Sequence, residues 1–227
     1  MKEIMDIFPT AIGKYRMPQN GIDDVKEKCF DVIEEYGKTS EYVKANSNTI
    51  DLEHYFNKAG QSLLNTGLFD KFEEWIKQCS IDYINDTLGY ECKSVIVTDC
   101  WLNKCDTDGY QFMHVHSNSY ISGTYFVNFI KGKHSHLAFQ SRDALPGASC
   151  KPYIEVPECK QTKYNSGGAI IDHDEGDLLL WESNLVHGYE RNYADNRISI
   201  SFNILPEVFD TRGSYTFRVT RDDTKLD

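Results

Sequence analysis

Apolar residues recur at two different periods along this chain, and the change of period divides it. In DDVKEKCFDVIEEYGK, Val25, Cys29, Val32, Ile33 and Tyr36 return at helical spacing and fall on one face of a 3.6-residue turn. Asp23 and Asp24 stand where negative charge favours the N-terminal end of a helix. A second stripe, in LFDKFEEWIKQCSIDYINDTLG, joins Leu68, Phe72, Trp75, Ile76, Cys79 and Tyr83, and Gly89 fits a helix stop. Both stripes read as core-packing faces. From Lys93 the pattern changes to short β-like runs bounded by turn residues: SVIVTDCWL, ISGTYFVNFI, HLAFQ, PYIEV, GDLLLW and RISISFNIL, the last of them strictly alternating. Between Ser141 and Ala169 the pattern lapses, with prolines and the pair Gly167-Gly168; this predicts a long loop with one short strand, of the kind that covers a site. Helices followed by many short strands predict a β-sandwich or barrel buttressed by helices on one face. One domain is expected over residues 1–227, helical over 1–92 and β over 93–220.

Composition narrows the function. The chain has 227 residues with 40% hydrophobic and 26% charged, ordinary for a globular protein. Its net charge is −11 and no three Lys or Arg stand together, so it lacks the clustered cations that track a phosphate backbone. The expected partner is a small molecule or peptide, not nucleic acid or a membrane. Seven cysteines with no metal-type spacing predict free thiols in a reducing compartment, hence a cytoplasmic protein. The oligomeric state stays open, a homodimer included.

The chemistry rests on histidines. In HVHSNSYISGTYF, His114 and His116 share the i, i+2 spacing that puts strand side chains on one face. KHSHLAF repeats that spacing with His134 and His136, and His173 stands among acids in DHDEGD. Each alone reads more simply as a strand or turn residue, and spacing does not choose between the pairs. Further on, His187 ends NLVH, and Arg197, Ser199, Ser201 and Asn203 alternate with Ile198, Ile200, Phe202 and Ile204. The plain reading puts the polar face in water. Were the two segments to pair across YERNYADN, His187 and Arg197 would be neighbours. Only a wet cavity with an anionic ligand would turn that polar face inward.

A histidine pair before SGTYF, then GDLLLW, VHG and RISISFN, in that order, resembles the Fe(II)- and 2-oxoglutarate-dependent oxygenase superfamily, and within it an uncharacterised, partly phage-borne group. IFPTAIGKY and CWLN extend the resemblance over nearly the whole chain. It implies a double-stranded β-helix, a jelly-roll or cupin-like fold, with the helices packed on one sheet. It implies Fe(II) on His114 and His187, with His116 where a carboxylate normally stands. There His116 either completes a three-histidine face or leaves two protein ligands. The resemblance puts Arg197, Ser199 and Asn103 on 2-oxoglutarate; a guanidinium fork suits a carboxylate. Strand alternation puts Ser122, Thr124 and Phe126 on one face of the same cavity, while WES (Trp181 to Ser183) departs from the group's F-P-S. The implied reaction consumes O₂, releases succinate and CO₂, and hydroxylates a substrate by default. The rival readings are a three-histidine dioxygenase without 2-oxoglutarate, which would release no succinate, and a non-catalytic β-sandwich module, which would take up no iron.

Overall fold

A computed structural model describes residues 3–6, 9–39, 41–45, 51–141, 159–210 and 213–220. Both expected helices are present. Helix α1 (Gln19–Tyr36) buries Ile22, Val25, Cys29 and Val32. It starts a turn early, after Pro18, whose fixed φ suits a helix entry, so Asp23 and Asp24 lie in the second turn. Helix α2 (Asp70–Asp82) buries Phe72, Ile76 and Cys79 and runs into a wider turn over Tyr83–Thr87. Leu68 falls ahead of that helix and is exposed, while its neighbour Phe69 takes the buried place.

Eight strands are shared between two facing sheets, four in each. They are β4 (Val95–Cys105), β5 (Gln111–His114), β6 (Ile121–Asn128), β7 (Ala138–Gln140), β8 (Gly168–Ile170), β9 (Asp177–Glu182), β10 (Val186–Tyr189) and β11 (Arg197–Pro206). The larger sheet contains β9-β6-β11-β4 and the smaller one is β5-β10-β7-β8, with every pairing antiparallel. Strands 4, 6, 9 and 11 in one layer and 5, 7, 8 and 10 in the other make a double-stranded β-helix. Three strands from the first 92 residues extend the larger sheet: β1 (Gly13–Arg16) pairs with β9, and β3 (Leu52–Tyr55) joins β4 to β2 (Val43–Ala45). They are too short to show an alternating pattern, so the sequence reading gave that region helices alone. Beyond the barrel, β12 (Val208–Asp210) and β13 (Thr216–Arg218) form a separate hairpin. The expected strand PYIEV lies outside the described residues.

The large sheet is buried on both faces. Towards the helices go Leu178 and Leu180 of β9 and Ile198, Ile200, Phe202 and Ile204 of β11, packed with Val25, Cys29, Phe72 and Ile76. Towards the small sheet go Leu179 and Trp181, packed with Phe126 and Phe139. The polar side of β11 therefore faces the barrel interior, not water: Arg197 is 1% exposed and Ser199 2%. Nor does β10 pair with β11; it pairs with β5 and β7, so His187 and Arg197 face one cavity from opposite sheets. Cys29, Cys79, Cys92, Cys100 and Cys105 are buried free thiols, and Cys159 is an exposed one.

Candidate metal centre

Strand pairing brings two of the histidines together. His114 ends β5 directly opposite His187 on β10, and opposed residues of an antiparallel pair project on the same side. Their ring centroids are 4.4 Å apart. Gly188 permits this approach, because a Cβ there would stand 2.6 Å from the Gln111 carbonyl oxygen and 2.9 Å from that of Phe112. His116 lies two residues past the end of β5 and is drawn in by its own backbone, whose N–H donates to the Ser183 carbonyl at 3.0 Å. Ligand atoms of His114, His116 and His187 all fall within 4.8 Å of one another.

The second ring nitrogen of each histidine settles its tautomer. His114 Nδ1 meets the Phe112 carbonyl at 2.8 Å and His187 Nδ1 meets the Leu185 carbonyl at 2.9 Å. A carbonyl only accepts, so both Nδ1 atoms carry the proton. His116 Nδ1 faces Asn203 Oδ1 at 2.5 Å and Ser122 Oγ at 3.0 Å. Asn203 turns its amide nitrogen to the Asp99 carboxylate at 3.2 Å, which leaves its oxygen to accept from His116. Ser122 donates to Ser183, Ser183 to Ser119, and Ser119 to the Ile121 carbonyl, so Ser122 too accepts. All three Nε2 atoms keep lone pairs, and those of His114 and His116 stand 3.2 Å apart. Opposed lone pairs at that distance repel unless a cation lies between them. Two bonds of about 2.1 Å at a right angle would separate their nitrogens by about 3.0 Å. Burial pushes His187 down to about 3 and also lowers His116, where the bond to Asn203 works against it. Neutral imidazoles are what a metal needs. The donor set fits a divalent cation of the iron class.

Beside this face lies a cavity of about 260 Å³ lined by 15 residues, among them the three histidines, Asn103, Thr124, Arg197, Ser199 and Ser201. The Arg197 guanidinium packs 3.9 Å from the centre of the Tyr189 ring and donates from Nε to the Ser135 carbonyl at 2.9 Å. Its Nη2 is buried with no hydrogen-bond partner among the described residues. A buried donor without an acceptor is costly, and a ligand carboxylate would supply the acceptor. Asn103 lines the cavity, but its amide is engaged at both ends, accepting from His54 Nδ1 at 2.6 Å and donating to Ser201 Oγ at 2.9 Å. Thr124 bonds Ser201 at 3.1 Å. Phe126 instead stacks on His173 with centroids 3.4 Å apart. His134, His136 and His173 form no metal group among the described residues.

Sequence reasoning missed His54, Trp101 and Tyr189, all on the cavity wall. His54 sits on β3, a four-residue strand too short to betray its facing. Trp101 comes from the same inward row of β4 as Asn103, so strand alternation applied from Asn103, which the resemblance supplied, would have found it.

The family model described as "Putative 2OG-Fe(II) oxygenase" matches residues 99–203, from the strand carrying Asn103 to the one carrying Asn203. A prolyl-4-hydroxylase from Pseudomonas putida superposes with a TM-score of 0.56 at 11% identity, over 86% of this chain and 92% of that one. The epimerase SnoN, solved with Fe3+, alpha ketoglutarate and nogalamycin RO, gives 0.61 at 8%, over 94% and 92%. HygX from Streptomyces hygroscopicus, solved with nickel, 2-oxoglutarate and hygromycin B, gives 0.53 at 10%, over 87% and 83%. At such identities these likenesses bear on the fold alone. No curated protein matches the sequence.

Proposed function

We infer, from a 2OG-Fe(II) oxygenase domain over residues 99–203, that this protein binds Fe(II) on His114, His116 and His187 and uses 2-oxoglutarate to hydroxylate an organic substrate. When bound, the iron and the 2-oxo acid together supply O₂ activation, with succinate and CO₂ as co-products. The chain's own residues bind, orient and exclude water. The three histidines present a neutral face. Arg197 holds the far carboxylate of 2-oxoglutarate through its unpaired Nη2, with the Ser199 hydroxyl beside it. Asn103, tied to His54 and Ser201, keeps that wall of the cavity in register. Phe126, Phe139, Leu179 and Trp181, packed between the sheets, keep the interior dry. The observation that carries the reading is the pairing of three converging Nε2 lone pairs with one unsatisfied buried guanidinium in a single cavity.

Calorimetry on the metal-loaded protein tests it. Arg197→Ala should weaken 2-oxoglutarate by tens-fold or more, about 2–5 kcal/mol for one partner of a buried charged pair, and leave metal affinity intact. Unchanged 2-oxoglutarate affinity would remove Arg197 from its role. The all-histidine face is itself a reason to keep a second reading, an O₂-using dioxygenase that needs no 2-oxo acid. Succinate release during turnover separates the two.

The cavity excludes a large part of chemical space. Its volume is about 260 Å³, so a small group or a side chain presented by a peptide would enter. No helix among the described residues is long and apolar enough to cross a membrane.

A further inference from the structure

We propose that Asp99 is a positioning residue for the metal face: it fixes the amide of Asn203, and through that amide the tautomer that leaves the His116 Nε2 lone pair facing His114 and His187. The inference rests on the function proposed above and names what prepares that face before a metal arrives.

The arrangement of the three rings has a competitor. His114 Nε2 and His116 Nε2 are 3.2 Å apart, and without a cation two lone pairs meet there. His116 would relieve the repulsion by carrying its proton on Nε2 instead of Nδ1 and donating it to His114. That tautomer gains a hydrogen bond and removes one ligand atom from the face. It needs a donor behind the ring to satisfy Nδ1, so the groups there decide between the two states. Ser122 Oγ lies 3.0 Å from Nδ1, but a hydroxyl turns and serves either tautomer. Asn203 holds its Oδ1 2.5 Å from Nδ1 and is 8% exposed. A side-chain amide rotated by half a turn exchanges acceptor for donor at almost the same shape, so Asn203 by itself would serve either tautomer too.

Asp99 removes that freedom. It stands directly opposite Asn203 across β4 and β11, and its Oδ2 accepts from Asn203 Nδ2 at 3.2 Å. An ionised carboxylate only accepts, so the turned amide would set oxygen against charged oxygen. The Thr98 hydroxyl donates to the same Oδ2 at 3.0 Å and steadies it. The Asp99 charge also acts on the His116 ring directly, but behind burial, the Asn203 bond and His114. The larger influence is the direction it imposes on the amide.

The experiment uses the full chain with ¹⁵N-labelled histidine, first metal-free by NMR and then with Co(II) in competition with a chelating dye. Asp99 is exposed, so Asp99→Val and Asp99→Ala take nothing from the core, and either serves should the other not fold. In both, the His116 proton should move from Nδ1 to Nε2 while His114 and His187 keep theirs on Nδ1. Co(II) affinity should fall by about tenfold or more. Asp99→Val combined with Asn203→Asp should restore tautomer and affinity, because a carboxylate at 203 has no donor to turn towards His116. If His116 keeps its proton on Nδ1 in the single variants, the inference is wrong, and a fall in Co(II) affinity with that tautomer unchanged would assign the effect to charge alone. It is equally wrong if the double variant restores neither. The tautomer is read without metal, so native protein that takes up no Co(II) would end the function proposed above and still leave this inference to be decided by NMR.

Discussion

The barrel contains two groups of three histidines, and only one of them brings its ligand atoms close enough together to hold a metal ion. Each includes an H-x-H pair of identical spacing, His114 and His116 in one and His134 and His136 in the other. The difference is in what the remaining ring nitrogens meet. In the first group they meet acceptors, so every Nε2 keeps its lone pair and the three lone pairs converge. In the second group backbone donors take the lone pairs of two of the three rings. The Ile130 N–H donates to His134 Nδ1 at 3.1 Å, and His134 Nε2 donates in turn to the Asp195 carbonyl at 3.0 Å. The Leu137 N–H donates to His173 Nε2 at 3.2 Å. His136 packs its ring against Phe129 and His173. His134 and His173 staple loops to the barrel with no lone pair left for a cation, while His136, whose Nδ1 is buried without a partner among the described residues, keeps one that no second ligand joins. A metal site is thus specified by the partner behind the ring, a lesson that residue type and spacing do not carry.

Removing a ligand should break the contrast most severely. His114→Ala, His116→Ala and His187→Ala should each lower Co(II) or Fe(II) affinity by more than about a hundredfold, beyond the usual effect of an outer partner, as read by competition with a chelating dye. His134→Ala should leave that affinity where it was. If His116→Ala binds metal like the native protein while His114→Ala does not, the site has two protein ligands. Removing what lies behind a ring is the next step down. Asn203→Leu deprives His116 Nδ1 of its acceptor and should weaken metal by about ten- to a hundredfold, with ¹⁵N NMR showing the His116 tautomer no longer fixed. A well-defined tautomer in that variant would mean that Ser122 suffices.

Two changes test the architecture around each group. Gly188→Ala places a Cβ against two carbonyls of β5 and should cost about 1–3 kcal/mol in urea unfolding while loosening metal binding, since it separates His114 from His187. His134→Ala leaves the Ile130 N–H without its buried acceptor and should cost about 1–3 kcal/mol of stability with no change in metal affinity. Equal losses of metal in the two variants would erase the distinction drawn between the groups.

Acid tests the burial of both groups at once. Burial holds His187 down to about 3, and burial, followed by the Arg197 charge, holds His173 down to about 2. Both folded-state values lie below the 6.5 of a free imidazole, so below pH 6.5 the unfolded chain binds protons that the fold refuses. Stability of the metal-free protein should therefore fall steadily from pH 6.5 towards 3, by up to about 1.4 kcal/mol per pH unit for each such histidine. Melting temperatures that stay flat over this range would contradict the burial of these rings.

Much of this was legible in residues and some was not. The stripes of α1 and α2, the alternation of β11 and the β-rich runs of β4, β6 and β9 are long enough to stand out, so those elements could be read directly. Strands β1, β2, β3 and β5 have three or four residues each and are made by pairing with longer neighbours, which no local pattern records. The facing of Arg197 is the instructive case. Alternation located the polar row on β11 correctly but assigned it to water, because a pattern of period two does not reveal that both faces are covered. The resemblance supplied what the period could not. The acceptors of the histidine Nδ1 atoms were beyond reach for another reason: two of them are backbone carbonyls, which every residue has.

The buried thiols have a bearing on how long such a catalyst would last. Burial raises Cys29, Cys92, Cys100 and Cys105, and lifts Cys79 to about 12, with the Arg197 charge pulling the other way at Cys105. Oxidation proceeds through the thiolate, and at neutral pH these sulfurs stay protonated. Cys105 is the telling one, since it is paired across the strands with Arg197 and fully buried. Chemistry that misfires in this barrel would find no ready nucleophile in its own walls. Among the described cysteines the first sulfur to tarnish should be Cys159, out in solvent, where damage leaves the cavity untouched.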